Sequence, residues 1–219
     1  MTKTGINISK NTLAILKNFS TINSNLLVKP GNKISTISPA KNMMAEAIVE
    51  EEFDVEFGIW DLNKFLGVIS LFTDPVFTFH EKCVEIEGGS TVKYYFSEPK
   101  LLTAPTKTVK MPEDLVVFTI YQDNFAEMLK ASSVLQLPQI TFSSEGDALF
   151  AKLHDREDAT SNTYTVLLGN TSTQFEATLD MEHLRLLPGD YEVTISKGPV
   201  AQFKNQSIDL TYWVALKSE

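Results

Sequence analysis

The chain repeats a strand that leads into a helix, and that repeat limits what it can fold into. Asp54-Val-Glu-Phe-Gly-Ile-Trp60 runs into Asp61-Leu-Asn-Lys-Phe-Leu-Gly-Val-Ile69. Leu115-Val-Val-Phe-Thr-Ile-Tyr121 runs into Asn124-Phe-Ala-Glu-Met-Leu-Lys130. Phe57, Ile59, Trp60 and Asn63 align with Phe118, Ile120, Tyr121 and Asn124. Phe175 to Leu179, followed by Asp180 to Arg185, is a looser third copy. Duplicated units of this kind predict two similar, pseudo-symmetric domains. Such a protein can act through its shape and needs no catalytic centre.

The 219 residues suffice for two small domains with buried cores. Hydrophobic residues make up 43%, and 14 Phe are spread along the whole length, which argues against wholesale disorder. No apolar run approaches the roughly 18 residues of a membrane span. The first residues lack the apolar stretch of a signal peptide, so a cytosolic protein with no membrane partner is expected. The single cysteine, Cys83, excludes an intrachain disulfide and reads as a buried core thiol. A net charge of −9 disfavours nucleic acid unless positive charge gathers on one surface.

Apolar spacing predicts a helix from Ser9 to Ile22, with Ser9 as N-cap. Leu13, Ile15, Leu16, Phe19 and Ile22 face one side; Lys10, Ala14, Lys17 and Thr21 face the other. Asp61 to Leu71, Asp123 to Leu135 and Asp180 to Leu187 are further predicted helices. Pro30-Gly-Asn32 is expected to turn a hairpin between two short strands. Glu50 to Glu52 reads as a solvated turn between strands. Gly88-Gly-Ser90 precedes a strand and lacks a Gly-Lys-Ser/Thr ending, so it reads as a turn and not as a phosphate loop. Three prolines and three lysines between Glu98 and Pro112 mark an extended, exposed linker. The expected organisation is therefore a first domain over 1–100, a linker over 101–113 and a second domain over 114–219. Strand residues outnumber helical ones, and the order suits an α+β class: two similar domains, each with two helices packed on antiparallel sheet.

Catalytic patterns are absent. His80, His154 and His183 lie at no metal-ligand spacing with one another or with Cys83. His154-Asp155 has no accompanying nucleophile. The carboxylates are spread through loops and solvated faces, and no Asp-x-Asp pair suits magnesium. No cofactor or metal is expected, and the chain does not read as an enzyme.

The helical segments carry a resemblance. Ser9-Lys-Asn-Thr-Leu-Ala-Ile-Leu-Lys-Asn-Phe-Ser-Thr-Ile-Asn-Ser24 and Asp61-Leu-Asn-Lys-Phe-Leu-Gly-Val-Ile-Ser-Leu71 resemble the first two helices of the sliding clamps of T-even-type bacteriophages. Leu187-Pro-Gly-Asp-Tyr191 and Tyr212-Trp-Val-Ala-Leu216 also fit. The likeness runs from about Ile8 to Leu216 and is poor from Thr73 to Asp114. It implies the clamp fold shared with proliferating cell nuclear antigen. Three subunits of two domains each would close head-to-tail into a homotrimeric ring around duplex DNA. The ring would be opened by an ATP-driven clamp loader, would tether the replicative DNA polymerase, and would also activate late transcription. The implied setting is the cytoplasm of an infected bacterial host.

The resemblance also implies residue roles. Lys10 and Lys17 would face the DNA, joined by Lys64, Lys130 and Arg185 on or beside the other helices. Asp123 and Glu127 share the Lys130 face, so the second domain would contribute less positive charge. A solvated helix face is the alternative for all five cations. Leu101, Leu102, Val109, Met111 and Trp213 would dock a partner's apolar tail, or would simply seal the domain junction. Edge strands would join subunits. A β-rich tail or capsid assembly protein remains a competing reading.

Overall fold

Caps and apolar spacing set the three α-helices of the computed structural model, which describes residues 5–158 and 160–218. Helix α1 is Lys10–Ile22; Ser9 Oγ accepts the Thr12 N–H, and Thr12, Ile15, Leu16, Phe19 and Ile22 are buried along one side. Helix α2 is Leu62–Ile69; Asp61 Oδ1 accepts the Lys64 N–H at 2.9 Å, and Leu62, Phe65 and Ile69 are buried. Helix α3 is Gln122–Leu135. Its N-cap residue, Tyr121, makes no side-chain cap; instead Asp190 Oδ1 takes the Gln122 N–H at 2.7 Å. No helix among the described residues is long and apolar enough to cross a membrane.

The chain divides into two units, Met1–Thr108 and Val109–Glu219, with the boundary inside the 101–113 segment. The first unit holds strands β1 (Ile6–Asn7), β2 (Leu26–Val28), β3 (Gly31–Ile37), β4 (Met43–Phe53), β5 (Phe57–Ile59), β6 (Val76–Phe79), β7 (Cys83–Glu87) and β8 (Thr91–Tyr95). Antiparallel ladders order one sheet β1-β6-β7-β8 and pair β3 with β4 and β2 with β5. Phe57 anchors the core, with ring centroids 5.4 Å from Phe53, 4.9 Å from Phe79 and 5.2 Å from Phe96. Cys83 is buried.

The second unit holds β9 (Asp114–Ile120), β10 (Gln139–Glu145), β11 (Ala148–His154), β12 (Tyr164–Asn170), β13 (Glu176–Asp180), β14 (Tyr191–Ser196), β15 (Val200–Asn205) and β16 (Leu210–Ala215). They run side by side as β12-β11-β10-β13 and as β9-β14-β15-β16. Buried Tyr191 and Tyr212 stand 6.1 Å apart and both hold Leu187: Tyr212 Oη accepts its N–H, and Tyr191 Oη donates to its carbonyl. Burial pushes the Tyr191 phenol up to about 12. The two C-terminal sequence blocks are thus one packed corner.

Several expectations change. The Pro30-Gly-Asn32 turn does not join a hairpin, since β2 pairs with β5 and β3 with β4. Glu50 to Glu52 is not a solvated turn but the end of the 11-residue strand β4, and Glu51 is only 8% exposed. The predicted helix from Asp180 to Leu187 is a 3₁₀ turn, Met181–His183, so the second unit shows one α-helix among the described residues. Leu184 and Leu186 are both buried with Arg185 exposed between them. That alternation of period two suits extended chain, and Pro188 follows at once. Element order also rephases the repeat. Each unit opens on a strand and a long helix, β1-α1 and β9-α3. The strand–helix unit β5-α2 corresponds in order to β13 and its 3₁₀ turn.

Candidate nucleic-acid interface and linker cleft

Helix α1 turns its polar stripe away from the core. Lys10, Lys17 and Thr21 are exposed and Ala14 half-buried. Neither lysine has an ion-pair partner among the described residues. The helix is pinned at its first turn from β4. Glu51 accepts the Ser9 N–H and the Thr12 hydroxyl, while Asn11 Nδ2 donates to Glu50 at 3.2 Å. A carboxylate at a helix N-terminus also meets the positive end of the helix dipole.

The other three cations differ. Lys64 is exposed on α2 and lacks an ion-pair partner among the described residues. Lys130 is likewise exposed, but steps of 100° place it close to Asp123, Val134 and Glu127 on the same side of the helix. Glu127 accepts a hydrogen bond from the Tyr164 hydroxyl, which also raises that phenol's pKa. Val134 is 72% exposed. The stripe on α3 is therefore acidic and apolar where that on α1 is basic. Arg185, expected on a fourth helix, lies on irregular chain just after the 3₁₀ turn, and its Nε donates to the Glu182 carbonyl at 2.9 Å.

The linker is held more firmly than its composition implied. A 3₁₀ turn spans Pro99–Leu101. Leu101 is 59% exposed, whereas Leu102 packs over Gly58. Val109, Met111 and Trp213 belong to the second unit and are half-buried. The buried Nε1 of Trp213 has no hydrogen-bond partner among the described residues. Within the first unit the linker overhangs a cleft of ≈ 290 Å³ that the sequence reading missed. Leu27, Met44 and Pro105 supply apolar lining, and Lys29, Lys33 and Lys107 stand around it. Lys33 is paired with Glu46 at 2.7 Å. Lys29 and Lys107 have no ion-pair partner among the described residues. The exposed lysine next to Pro30 was the available signal.

The histidines serve local bonds. Thr141 Oγ1 lies 2.7 Å from His154 Nε2, and burial lowers the His154 pKa. His80 Nε2 is 3.3 Å from Glu85, whose carboxyl is held low by hydrogen bonds to Lys93 and then to His80. No group of three or more His, Cys, Asp or Glu among the described residues is placed to hold a metal.

Residues 9–108, the part with α1, α2 and the cleft, match the family described as DNA polymerase processivity factor. The sliding clamp of Enterobacteria phage T4 is 29% identical over 97% of this chain and 97% of its own. This chain is a relative of the phage sliding clamps. The sliding clamp of Vibrio phage KVP40 is 26% identical over 96% of this chain and 99% of its own. Archaeal proliferating cell nuclear antigen from A. fulgidus, solved with the C-terminal region of FEN-1 bound, has the same fold. Its TM-score is 0.69 at 12% identity, covering 94% of this chain and 95% of that one. The coarse role is thus that of a sliding clamp, a DNA polymerase processivity factor and not an enzyme.

Proposed function

We propose that three copies of this chain close into a ring around duplex DNA and tether the replicative polymerase. The observation that carries the proposal is the basic stripe of α1: two exposed lysines without ion partners among the described residues, in a chain of net charge −9. Exposed cations with no partner suit phosphates met in passing, because backbone contacts carry no sequence information and do not halt sliding. Lys10 and Lys17 make the main contacts. Lys64 adds to them, and Lys130 and Arg185 add less, given the acids on α3 and the tether on Arg185.

Two sheet ends supply material for ring closure. Strand β8 ends one sheet of the first unit and carries Tyr95, 67% exposed. Strand β12 ends one sheet of the second unit and carries Leu167, 61% exposed. Pairing β8 of one copy with β12 of the next is a heterologous contact, which closes into a ring when the rotation fits. It would also protect two edges that otherwise invite aggregation.

The linker cleft takes a partner's tail: an apolar segment over Leu27, Met44 and Pro105, with acidic flanks toward Lys29 and Lys107. Leu102, Val109, Met111 and Trp213 are neighbours in that role, and Leu101 is free to join them. The polymerase, an ATP-driven clamp loader and late transcription factors are the partners, in the cytoplasm of the infected bacterial host. Light scattering over a dilution series tests the ring. A species of about 73.5 kDa, three chains of 24.5 kDa, that falls to monomer on dilution is expected. A strict monomer at all concentrations contradicts it, and an open-ended polymer ladder would favour a tail or capsid protein.

A further inference from the structure

Asn23 and Asn25 are buried polar residues, 4% and 9% exposed, and nearly all of their capacity goes to backbone groups far away in sequence. Asn23 is the C-cap of α1. Its Nδ2 donates to the Ile37 carbonyl at 2.8 Å and to the Thr103 carbonyl at 2.9 Å, which uses both amide hydrogens. Its Oδ1 accepts the Asn25 N–H at 2.9 Å. Asn25 Nδ2 donates to the Trp60 carbonyl at 2.7 Å, and Asn25 Oδ1 accepts the Thr103 N–H at 3.1 Å. Thr103 is thus gripped by both its N–H and its carbonyl. The grip joins the end of α1, the end of β3, the entry to α2 and the linker at one place. Just upstream, the Ser97 N–H bonds the Gly58 carbonyl, and Leu102 lies over Gly58. Ala104 to Thr108, the next residues, form one wall of the cleft.

We propose that Asn23 and Asn25 are positioning residues for partner binding. By fixing Thr103 they hold the cleft wall in its binding form before a partner arrives, and they tie that wall to the C-terminal end of the basic helix. A linker left free would lose its ordering entropy at the moment of binding, which weakens affinity. A pre-set one has already lost it. The proposal rests on the reading that the cleft takes a partner's segment.

The test uses the full chain with Thr103→Pro or Asn25→Ala. Thr103→Pro removes the N–H that Asn25 accepts, together with the threonine side chain, and it changes no buried core residue. Leu102, at φ −98° and ψ 142°, already has the conformation a following proline requires. Hydrogen exchange at the bonded Leu102 amide, and at the Thr103 amide in Asn25→Ala, should speed up about tenfold, the usual effect of one lost buried hydrogen bond. The polymerase concentration needed for half-maximal stimulation should rise by a similar factor. Retention of the loaded protein on circular DNA should not change. Unchanged exchange overturns the proposal, and so does faster exchange with an unchanged polymerase requirement. If the wild-type chain stimulates no polymerase, the clamp reading itself fails and takes the partner role with it.

Discussion

Glu51 on β4 accepts the hydroxyl of Thr12, a residue of α1 that is 1% exposed. The same carboxylate takes the Ser9 N–H, so one strand side chain fastens the first turn of the helix that presents Lys10 and Lys17. Glu51→Ala would leave the buried Thr12 hydroxyl without its acceptor and the Ser9 N–H unpaired. We expect a loss of about 2–4 kcal/mol in urea unfolding, with Glu51→Gln losing less because one acceptor remains. An alanine variant within 0.5 kcal/mol of wild type would mean that water replaces both bonds.

Lys10→Glu with Lys17→Glu should leave the fold intact, because both side chains are exposed and make no ion pair among the described residues. The double variant should lose most polymerase stimulation on primed DNA at moderate salt, while its thermal midpoint stays within a few degrees. Full stimulation by this variant would remove α1 from the DNA-facing surface.

How much of this was legible in sequence varied with the physics of each segment. Helices α1 and α2 declare themselves through Ser9 and Asp61, whose side chains cap locally, and through apolar residues at helical spacing. The cap of α3 was hidden because it comes from Asp190, 68 positions away. Glu51 read as solvated because three consecutive acids usually are, and only the tertiary fold shows that the middle one points inward. Leu184 and Leu186 carried a strand-like alternation that a preceding Asp180 made easy to mistake for a helix. The basic stripe was visible as periodicity. The linker cleft was not, because Leu27, Met44 and Pro105 meet only after β2 has paired with β5.

Gly58 has room for no side chain. A Cβ there would lie 2.6 Å from the Ser97 carbonyl oxygen and 2.6 Å from Leu102 Cδ1. Leu102 can move, but the Ser97 backbone is bonded back to Gly58 and cannot easily do so. Gly58→Ala should cost about 1–3 kcal/mol, as overpacking does, and should loosen the start of the linker. Calorimetry showing an unchanged midpoint would place slack in the linker that the packing does not show.

His154 makes stability depend on mild acid. Burial lowers its pKa below the ordinary 6.5, followed by repulsion from Lys152 and Arg156. The unfolded chain then binds the proton more readily than the folded one. The imidazole's contribution is complete above pH 6.5 and is lost as the pH falls through the lowered folded value. Thermal midpoints should decline over that window in wild type and decline less in His154→Gln. Parallel curves for the two proteins would show that this histidine titrates as it does in the unfolded chain.

Encirclement is best tested by topology. The protein, a clamp loader and ATP are incubated with nicked circular DNA, and the mixture is passed through a sizing column before and after one restriction cut. A ring held by linkage and not by affinity should co-elute with the circle and be released once the circle is made linear. Equal retention on circular and linear DNA, or no retention on either, would contradict the account.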